Sequence, residues 1–462
     1  VSNAYQFHKS ILREYDIRGI VGETLHESDA TALGRAFATA VSRATGKAAP
    51  QIVVGRDGRV SSPGMEAALV EGLKAAGAEV IRIGTGPTPM LYFAATTMGT
   101  DGGIQVTGSH NPPHHNGFKM MLGKKSFFGE SIQEIGRISA AGDLNVGAGS
   151  DRHEDIKDRY IARLLEEAVP NNLAIGWDPG NGAAGAVLGR IVAGLSGRHI
   201  IINEAVDGTF PNHHPDPTEP ENLEQLQHLV AENKLDLGIA FDGDADRIGA
   251  IDAKGRIIWG DQLLAILAAD LLKDRPGSTI IADVKASQVL FDEIAKLGGK
   301  PLMWKTGHSL IKTKMAETGS PLAGEMSGHI FFADRFYGFD DAIYAGLRLI
   351  TAVVHAGVSL ADLRDRLPDT VNTPELRFAV AEEEKFAIVD KVKAALAAAG
   401  ASVDATDGVR VKTNDGWWLL RASNTQAVLV ARAEGSDEAA LGRLKASLTQ
   451  ALVAAGVTPP KI

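Results

Sequence analysis

The sequence predicts an α/β chain made of three similar mixed α/β domains followed by a smaller α+β domain. Strand-like apolar runs alternate with alanine- and leucine-rich helical stretches through most of the chain, as expected of stacked α/β units. Within that alternation, two kinds of strand-to-loop segment recur in a fixed order. QIVVGRDGR (Gln51 to Arg59), LAIGWDPGNG (Leu173 to Gly182) and TIIADVKAS (Thr279 to Ser287) each run from β-branched residues into an Asp and a small or basic loop. GGIQVTGSHN (Gly102 to Asn111), LGIAFDGDADR (Leu237 to Arg247) and PLAGEMSGH (Pro321 to His329) each run into a loop dense in polar groups. The repetition suggests three domains, each presenting a loop at the carboxyl end of a strand, where open sheets bind ligands. Any α/β protein has strands ending in Gly and Asp, so the repeat alone leaves that simpler reading open.

With 462 residues, three or four domains are expected from a length of about 150 residues each. Divisions are expected at Ala140 to Ser150, at the turn Ala253 to Gly255, and around Pro368 to Pro374. These give domains 1–150, 151–254, 255–369 and 370–462. The last reads as a strand from Leu376, a helix from Glu382 to Ala399, and strands separated by Asn414, Asp415 and Gly416, a strong hairpin signal.

Composition narrows the function. Apolar content of 44% with 23% charged residues is that of a soluble globular protein. A net charge of -10 argues against a general nucleic-acid binder, but allows one positively charged cleft for phosphorylated metabolites. Cysteine is absent, which excludes disulfides, thiolate metal sites and cysteine catalysis. The longest apolar helical stretch, Leu263 to Leu272, contains Asp270 and is too short to span a bilayer. The opening VSNAYQFHKS lacks an apolar core of signal-peptide type, so no membrane association and a cytoplasmic location are expected. Nothing in the sequence fixes the oligomeric state, and a monomer is compatible with it.

The segment TGSHNPPHHNGFKM, Thr107 to Met120, sets Ser109 among dense turn-formers after a strand-like run. Asn111, Pro112, Pro113, Asn116 and Gly117 keep a helix from starting, so the loop can hold a hydroxyl rigidly. His110 and Lys119 are expected to keep the local field positive, favouring an anionic substrate or a negative charge on the serine itself. Taken alone, Ser109 fits a turn-capping hydroxyl as readily as a nucleophile.

In FDGDADR, Asp242, Asp244 and Asp246 alternate just after an apolar strand. Oxygen-only donors suit a hard cation, magnesium, calcium or manganese, rather than zinc. An EF-hand is excluded, because its required glycine and bidentate acid are replaced by Arg247 and Ala253. Three unpaired acids beside an apolar strand would repel one another, which favours a metal over a solvated turn. A metal, a loop serine and basic residues together fit phosphoryl transfer, and Arg247 adjoins the acids. In GEMSGH, an extended loop would point Glu325, Ser327 and His329 toward one ligand. RASNTQ, Arg421 to Gln426, follows the apolar run Trp417 to Leu420 and reads as a phosphate cradle. There Arg421 would bind with two parallel hydrogen bonds, with Ser423, Asn424 and Thr425 adding neutral donors. A simple polar turn remains equally open from that segment alone.

Together and in this order, TGSHNPPHHNGFK, DGDADR, GEMSGH and RASNT resemble the four active-site loops of the α-D-phosphohexomutase family. The bacterial phosphomannomutase/phosphoglucomutase branch is resembled most closely, since phosphoglucosamine mutases usually have GEQSGH and a different phosphate loop. YDIRG at Tyr15 to Gly19 and KTGHSLIK at Lys305 to Lys312 also match. The resemblance spans nearly the whole chain and implies four domains around a central cleft. It implies that Ser109 is the phosphorylated serine and that its phosphate, with Asp242, Asp244 and Asp246, holds Mg2+. Glu325 and Ser327 would recognise the sugar, and Arg421, Ser423, Asn424 and Thr425 the non-reacting phosphate. Lys119, His110, Arg247 and His329 would surround the transferring group, with Tyr15, Arg18, Lys285 and His308 as further cleft residues. Lys119 and His329 are the candidate acid and base.

The implied reaction moves a phosphoryl group between C1 and C6 of hexose phosphates, through glucose 1,6-bisphosphate or mannose 1,6-bisphosphate. The competing readings are a metal-dependent sugar phosphatase, a phosphoglucosamine mutase, and a non-enzymatic sugar-phosphate binding protein.

Overall fold

The computed structural model describes residues 4–424 and 426–459. Its strands form four sheets. The first is built from β1 (Ile17–Ile20), β2 (Gln51–Arg56), β3 (Glu79–Thr85), β4 (Gly102–Val106), β5 (His115–Leu122), β6 (Lys125–Phe127) and β7 (Ser150–His153), in the order β1-β5-β4-β2-β3-β7 with β6 beside β5. The second comprises β8 (Ala174–Asp178), β9 (Arg198–Ile201), β10 (Leu237–Phe241), β11 (Ile248–Asp252) and β12 (Ile257–Ile258), ordered β12-β11-β10-β8-β9. The third contains β13 (Thr279–Asp283), β14 (Lys300–Trp304), β15 (Leu322–Gly324) and β16 (Ile330–Phe332), ordered β14-β13-β15-β16.

The recurring segments of the sequence occupy equivalent places in these three sheets. The first kind forms β2, β8 and β13, and the second kind forms β4, β10 and β15, its parallel neighbours. Each of the latter then turns back into an antiparallel partner, β5, β11 or β16. The three loops of interest are therefore hairpin connections at the same end of the same four-strand unit. β4, β10 and β15 are buried along their whole lengths, which explains why they do not alternate apolar and polar residues, the buried Gln105 of β4 donating to the Gly86 carbonyl at 2.9 Å.

The fourth sheet contains β17 (Val371–Asn372), β18 (Leu376–Ala379), β19 (Val403–Asp404), β20 (Val409–Thr413), β21 (Gly416–Ala422) and β22 (Val428–Gly435). Its pairings are all antiparallel, and the helices Lys385–Ala398 and Glu438–Ala454 pack on it. The hairpin turn falls where Asn414 and Asp415 place it, with Thr413 opposite Gly416. The helix expected from Glu382 begins at Lys385. β7 joins β3 and so extends the first sheet past residue 150, while β12 extends the second past residue 254.

One apolar core runs through the first three sheets. It includes Val53 and Ile81, Trp177 and Ile239, and Ile280 and Phe332. The fourth sheet has a separate core around Trp418, Leu420, Leu429 and Leu448. Between them, among the described residues, lies a small cluster of Val284, Trp417 and Leu419 with Met303. Among the described residues, no helix is long and apolar enough to cross a membrane.

Candidate active site

The β4–β5 connection begins as the sequence suggests, because the loop leaves the sheet where β4 ends at Val106. Ser109 adopts the left-handed region, φ 51°, a conformation that is uncommon for residues other than glycine and persists only where neighbours enforce it. Its hydroxyl, in a residue only 2% exposed, donates to Asp242 Oδ2 at 3.1 Å and lies 3.4 Å from His110 Nδ1. The β10–β11 connection also uses a left-handed residue, Ala245, φ 59°. That turn lets Asp242 Oδ1 accept from the backbone N–H groups of Asp246 and Arg247, both at 3.1 Å. The two loops touch through Gly243, where a Cβ would lie 2.3 Å from the Ser109 carbonyl oxygen.

Asp242, Asp244 and Asp246 are fully buried. They are not unpaired, contrary to the expectation from sequence. Lys119, on β5, donates from Nζ to Asp244 Oδ2 at 2.8 Å and also to Asp246. Thr88 Oγ1 donates to Asp244 Oδ2 at 2.5 Å. Burial alone would lower Lys119, but the three acids raise it well above the ordinary range. Asp242 is pushed well up by burial and by Asp246 and Asp244, whereas Lys119 and His329 overcome burial to hold Asp246 well down.

The β15–β16 connection is a tight turn rather than the extended loop expected. Gly328 N–H donates to the Glu325 carbonyl at 3.0 Å, and Glu325 N–H to that of His329 at 2.9 Å. The side chains converge because the chain reverses, not because alternate positions share a face. His329 Nδ1 lies 3.1 Å from Glu325 Oε2 and 2.9 Å from Ser327 Oγ, and its Nε2 lies 3.3 Å from Asp246 Oδ1. Burial would lower this imidazole, yet Asp246 and Glu325 hold it up at about 9. Arg247 pairs with His329 through a backbone bridge, which fixes the second loop against the third.

Tyr15 connects the remaining loops. Its hydroxyl donates to the Thr306 carbonyl at 2.9 Å and accepts from Asn424 Nδ2 at 2.6 Å. Asp407 Oδ2 accepts from Thr306 N–H and from Arg421 Nε, both at 3.0 Å. Gln426 N–H donates to Ser423 Oγ at 3.2 Å. Lys285 Nζ donates to Glu375 Oε2 at 2.9 Å.

Four family models for the α/β/α domains I, II and III and the C-terminal domain of phosphoglucomutase/phosphomannomutase match residues 9–145, 158–255, 259–371 and 375–451. The chain belongs to this phosphoglucomutase/phosphomannomutase family. A phosphomannomutase/phosphoglucomutase of Pseudomonas putida is 45% identical over 437 residues, covering 94% of each chain. A phosphoglucomutase of Neisseria gonorrhoeae is 42% identical over 445 residues, 95% of each. The crystal structure of a phosphoglucomutase/phosphomannomutase family protein from Burkholderia thailandensis superposes with a TM-score of 0.92 at 42% identity, covering 98% of each chain.

In this phosphoglucomutase/phosphomannomutase family member, the first three predicted loops touch one another, and the fourth joins them through Tyr15, whose ring lies edge-on to His308 at 5.8 Å. Arg18 Nη1 donates to Asn111 Oδ1 at 2.8 Å beside the serine loop. His308 stacks on His329 with ring centroids 5.5 Å apart. Thr425 lies outside the described residues. His110 does not supply the expected positive charge: burial, then Arg247 and Arg18, push its imidazole well below the ordinary value.

The acid cluster fits a hard cation. Asp242, Asp244 and Asp246 each offer an oxygen, all within 4.8 Å of one another. Asp244 Oδ1 is buried without a hydrogen-bond partner, and Asp246 Oδ1 has only its ion contact with His329. A second grouping, Asp246, His329 and Asp340, is equally compact and shares Asp246 with the first.

Sequence reasoning missed several supports. Asp57 accepts from Gly108 N–H at 3.1 Å, and Asp283 from Met326 N–H at 3.0 Å, so each steadies a site loop from the neighbouring strand. The repeated Asp of the first segment type was the available signal. Thr88 and Asp407 had none. Asp340 also escaped notice: it lies 3.8 Å from His308 and 3.9 Å from His329, with Lys312 Nζ on its other oxygen at 2.9 Å.

Proposed function

We propose that this chain is a phosphohexomutase that interconverts 1-phosphates and 6-phosphates of mannose and glucose. Membership of the family and the names of its full-length relatives support this reading. The observation that carries it is the hydroxyl of Ser109 directed at Asp242 beside a compact oxygen cluster.

In the proposed reaction, Ser109 starts phosphorylated. A free sugar hydroxyl attacks phosphorus, a P–O bond to the sugar forms, the P–Oγ bond breaks, and the hydroxyl proton leaves as the serine oxygen gains one. The resulting 1,6-bisphosphate turns around and returns its other phosphate to Ser109. Asp242, Asp244 and Asp246 would hold Mg2+, which neutralises charge on the phosphoryl oxygens. Lys119 and Arg247 add positive charge there, and Lys119 and His329 are the proposed proton-transfer groups. Glu325 and Ser327 would grip hydroxyls that glucose and mannose share, while Arg421, Ser423, Asn424 and Thr425 would hold the idle phosphate. Tyr15, Arg18, Lys285 and His308 complete the cleft in this reading. Glucose 1,6-bisphosphate or mannose 1,6-bisphosphate would serve as activator, and a cytoplasmic setting suits substrates too charged to cross membranes unaided.

The test uses mannose 1-phosphate or glucose 1-phosphate with magnesium and a trace of the 1,6-bisphosphate. The matching 6-phosphate is the expected product, and Ser109→Ala should lower turnover on the order of 1,000-fold or more while substrate still binds. Free phosphate without sugar 6-phosphate would show a phosphatase instead.

A further inference from the structure

The motif GRDGR, repeated in outline by the other two domains, is not used by the chemistry above. Its Arg59 is buried, 1% exposed. Yet the guanidinium lies beneath the serine loop and commits all five of its N–H groups. Nε donates to Asp57 Oδ2 at 3.1 Å; Nη1 donates to the carbonyls of Pro112 and His115 at 2.5 and 2.9 Å; Nη2 donates to those of Ser109 and Asn111 at 2.8 and 2.6 Å. Without this group, the carbonyls of Ser109, Asn111 and His115 would lose the donor they have here, each at the cost of a buried unmade hydrogen bond, and that of Pro112 would keep only His115 N–H at 3.0 Å.

The arrangement is fitted on every side. Asp57 supplies the countercharge and also accepts from Thr107 Oγ1 at 2.9 Å and Gly108 N–H at 3.1 Å. A Cβ on Gly108 would lie 2.4 Å from Arg59 Cζ, so only glycine lets the loop settle on the guanidinium. From the second domain, the ring of Phe210 covers it at 5.2 Å. The left-handed backbone of Ser109 turns its carbonyl toward Arg59 and its hydroxyl toward Asp242.

We propose that Arg59 is a positioning residue for phosphoryl transfer: by gathering the loop carbonyls, it fixes Ser109 in the orientation that presents its oxygen to the acid cluster. The proposal rests on Ser109 being the phosphoryl carrier. Lysine keeps the charge but has one short-reach donor group in place of a planar fork, so it cannot satisfy four carbonyls and Asp57 together.

The experiment compares full-length wild type, Arg59→Lys, Arg59→Gln and Ser109→Ala. Turnover of glucose 1-phosphate gives kcat and KM, intact mass after exposure to glucose 1,6-bisphosphate follows phosphate on Ser109, and a thermal melt reports folding. Folded Arg59→Lys should keep KM within about 3-fold and lose on the order of 100-fold in kcat, the scale set by misplacing a reacting group by about 1 Å. Phosphate uptake on Ser109 should slow in step, and Arg59→Gln should be slower still. A folded Arg59→Lys with wild-type kcat overturns the proposal. Should neither Arg59 variant fold, Phe210→Ala decides, since it removes only the covering ring. Its kcat should fall about 3-fold at unchanged KM, and an unchanged kcat overturns the proposal. A wild type that turns over sugar phosphate without ever gaining mass at Ser109 would instead defeat the reading of Ser109 itself.

Discussion

The junction among the first three domains is apolar and continuous, whereas the junction to the fourth is mostly polar. Trp177, Ile239, Ile280 and Phe332 belong to one core shared by three sheets. The fourth domain meets them through the small Val284–Trp417–Leu419 cluster and through hydrogen bonds: Asn424 to Tyr15, Thr306 to Asp407, Lys285 to Glu375, and Ser287 to Glu434. Apolar burial is lost only by exposing surface to water, while a polar contact can exchange its partner for water at small net cost. The fold thus makes permanent the junction that aligns Ser109, the acids and His329, and makes exchangeable the one proposed to hold the far phosphate. A reaction in which the intermediate must turn around needs both properties.

The permanent half of this comparison is tested hardest at the acids. Asp244→Asn preserves shape and leaves Thr88 a partner, but removes a charge that Lys119 and the proposed cation share. Apparent magnesium affinity should fall at least about 10- to 100-fold, with turnover falling alongside it. Magnesium titration of activity checks this, and an unchanged titration would remove Asp244 from the metal site.

The exchangeable half predicts a different kinetic signature. Arg421→Ala removes a buried guanidinium anchored on Asp407 and should raise KM by about 10- to 100-fold, the equivalent of charged hydrogen bonds worth about 1.5–3 kcal/mol. Turnover at saturation should change by less than about 3-fold. Steady-state kinetics distinguish the cases: a loss in kcat alone would place Arg421 with the reacting group rather than the cradle.

The sequence made the repeated unit legible because β2, β8 and β13 each lead into an Asp, Asp57, Asp178 and Asp283, and their neighbours lead into clustered functional groups. The hairpin at Asn414 and Asp415 was legible because two-residue turns demand those residue types. What it hid was tertiary. Lys119 lies 125 residues from Asp244, so the acids read as unpaired. His110 read as a cation because its type suggests one, whereas burial, then Arg247 and Arg18, push its imidazole well down, and no local pattern encodes them. The GEMSGH segment has too few residues to reveal whether it extends or reverses, and the backbone bonds of its turn settle that. Arg59 looked like one more basic loop residue until four carbonyls were found around it.

The smallest expected effect lies at the polar edge of the fourth domain. Glu375 is held down to about 2 because Lys285, with help from Arg377, overcomes the upward push of burial. A carboxyl whose pKa is lower in the folded state stabilises that state above its ordinary value of 4.5, and the contribution is lost as pH falls from there toward about 2. Glu375→Gln should therefore lower the melting temperature of the fourth domain at neutral pH, and the gap from wild type should shrink through that acid window. Because the pair bridges two domains, the variant should also raise KM slightly, by less than about 3-fold, the size of a partly exposed ion pair. Calorimetry at stepped pH values checks the first expectation. A gap that stayed constant down to pH 2 would mean that Lys285 and Glu375 contribute packing rather than charge, and that this polar contact does not help to hold the fourth domain closed.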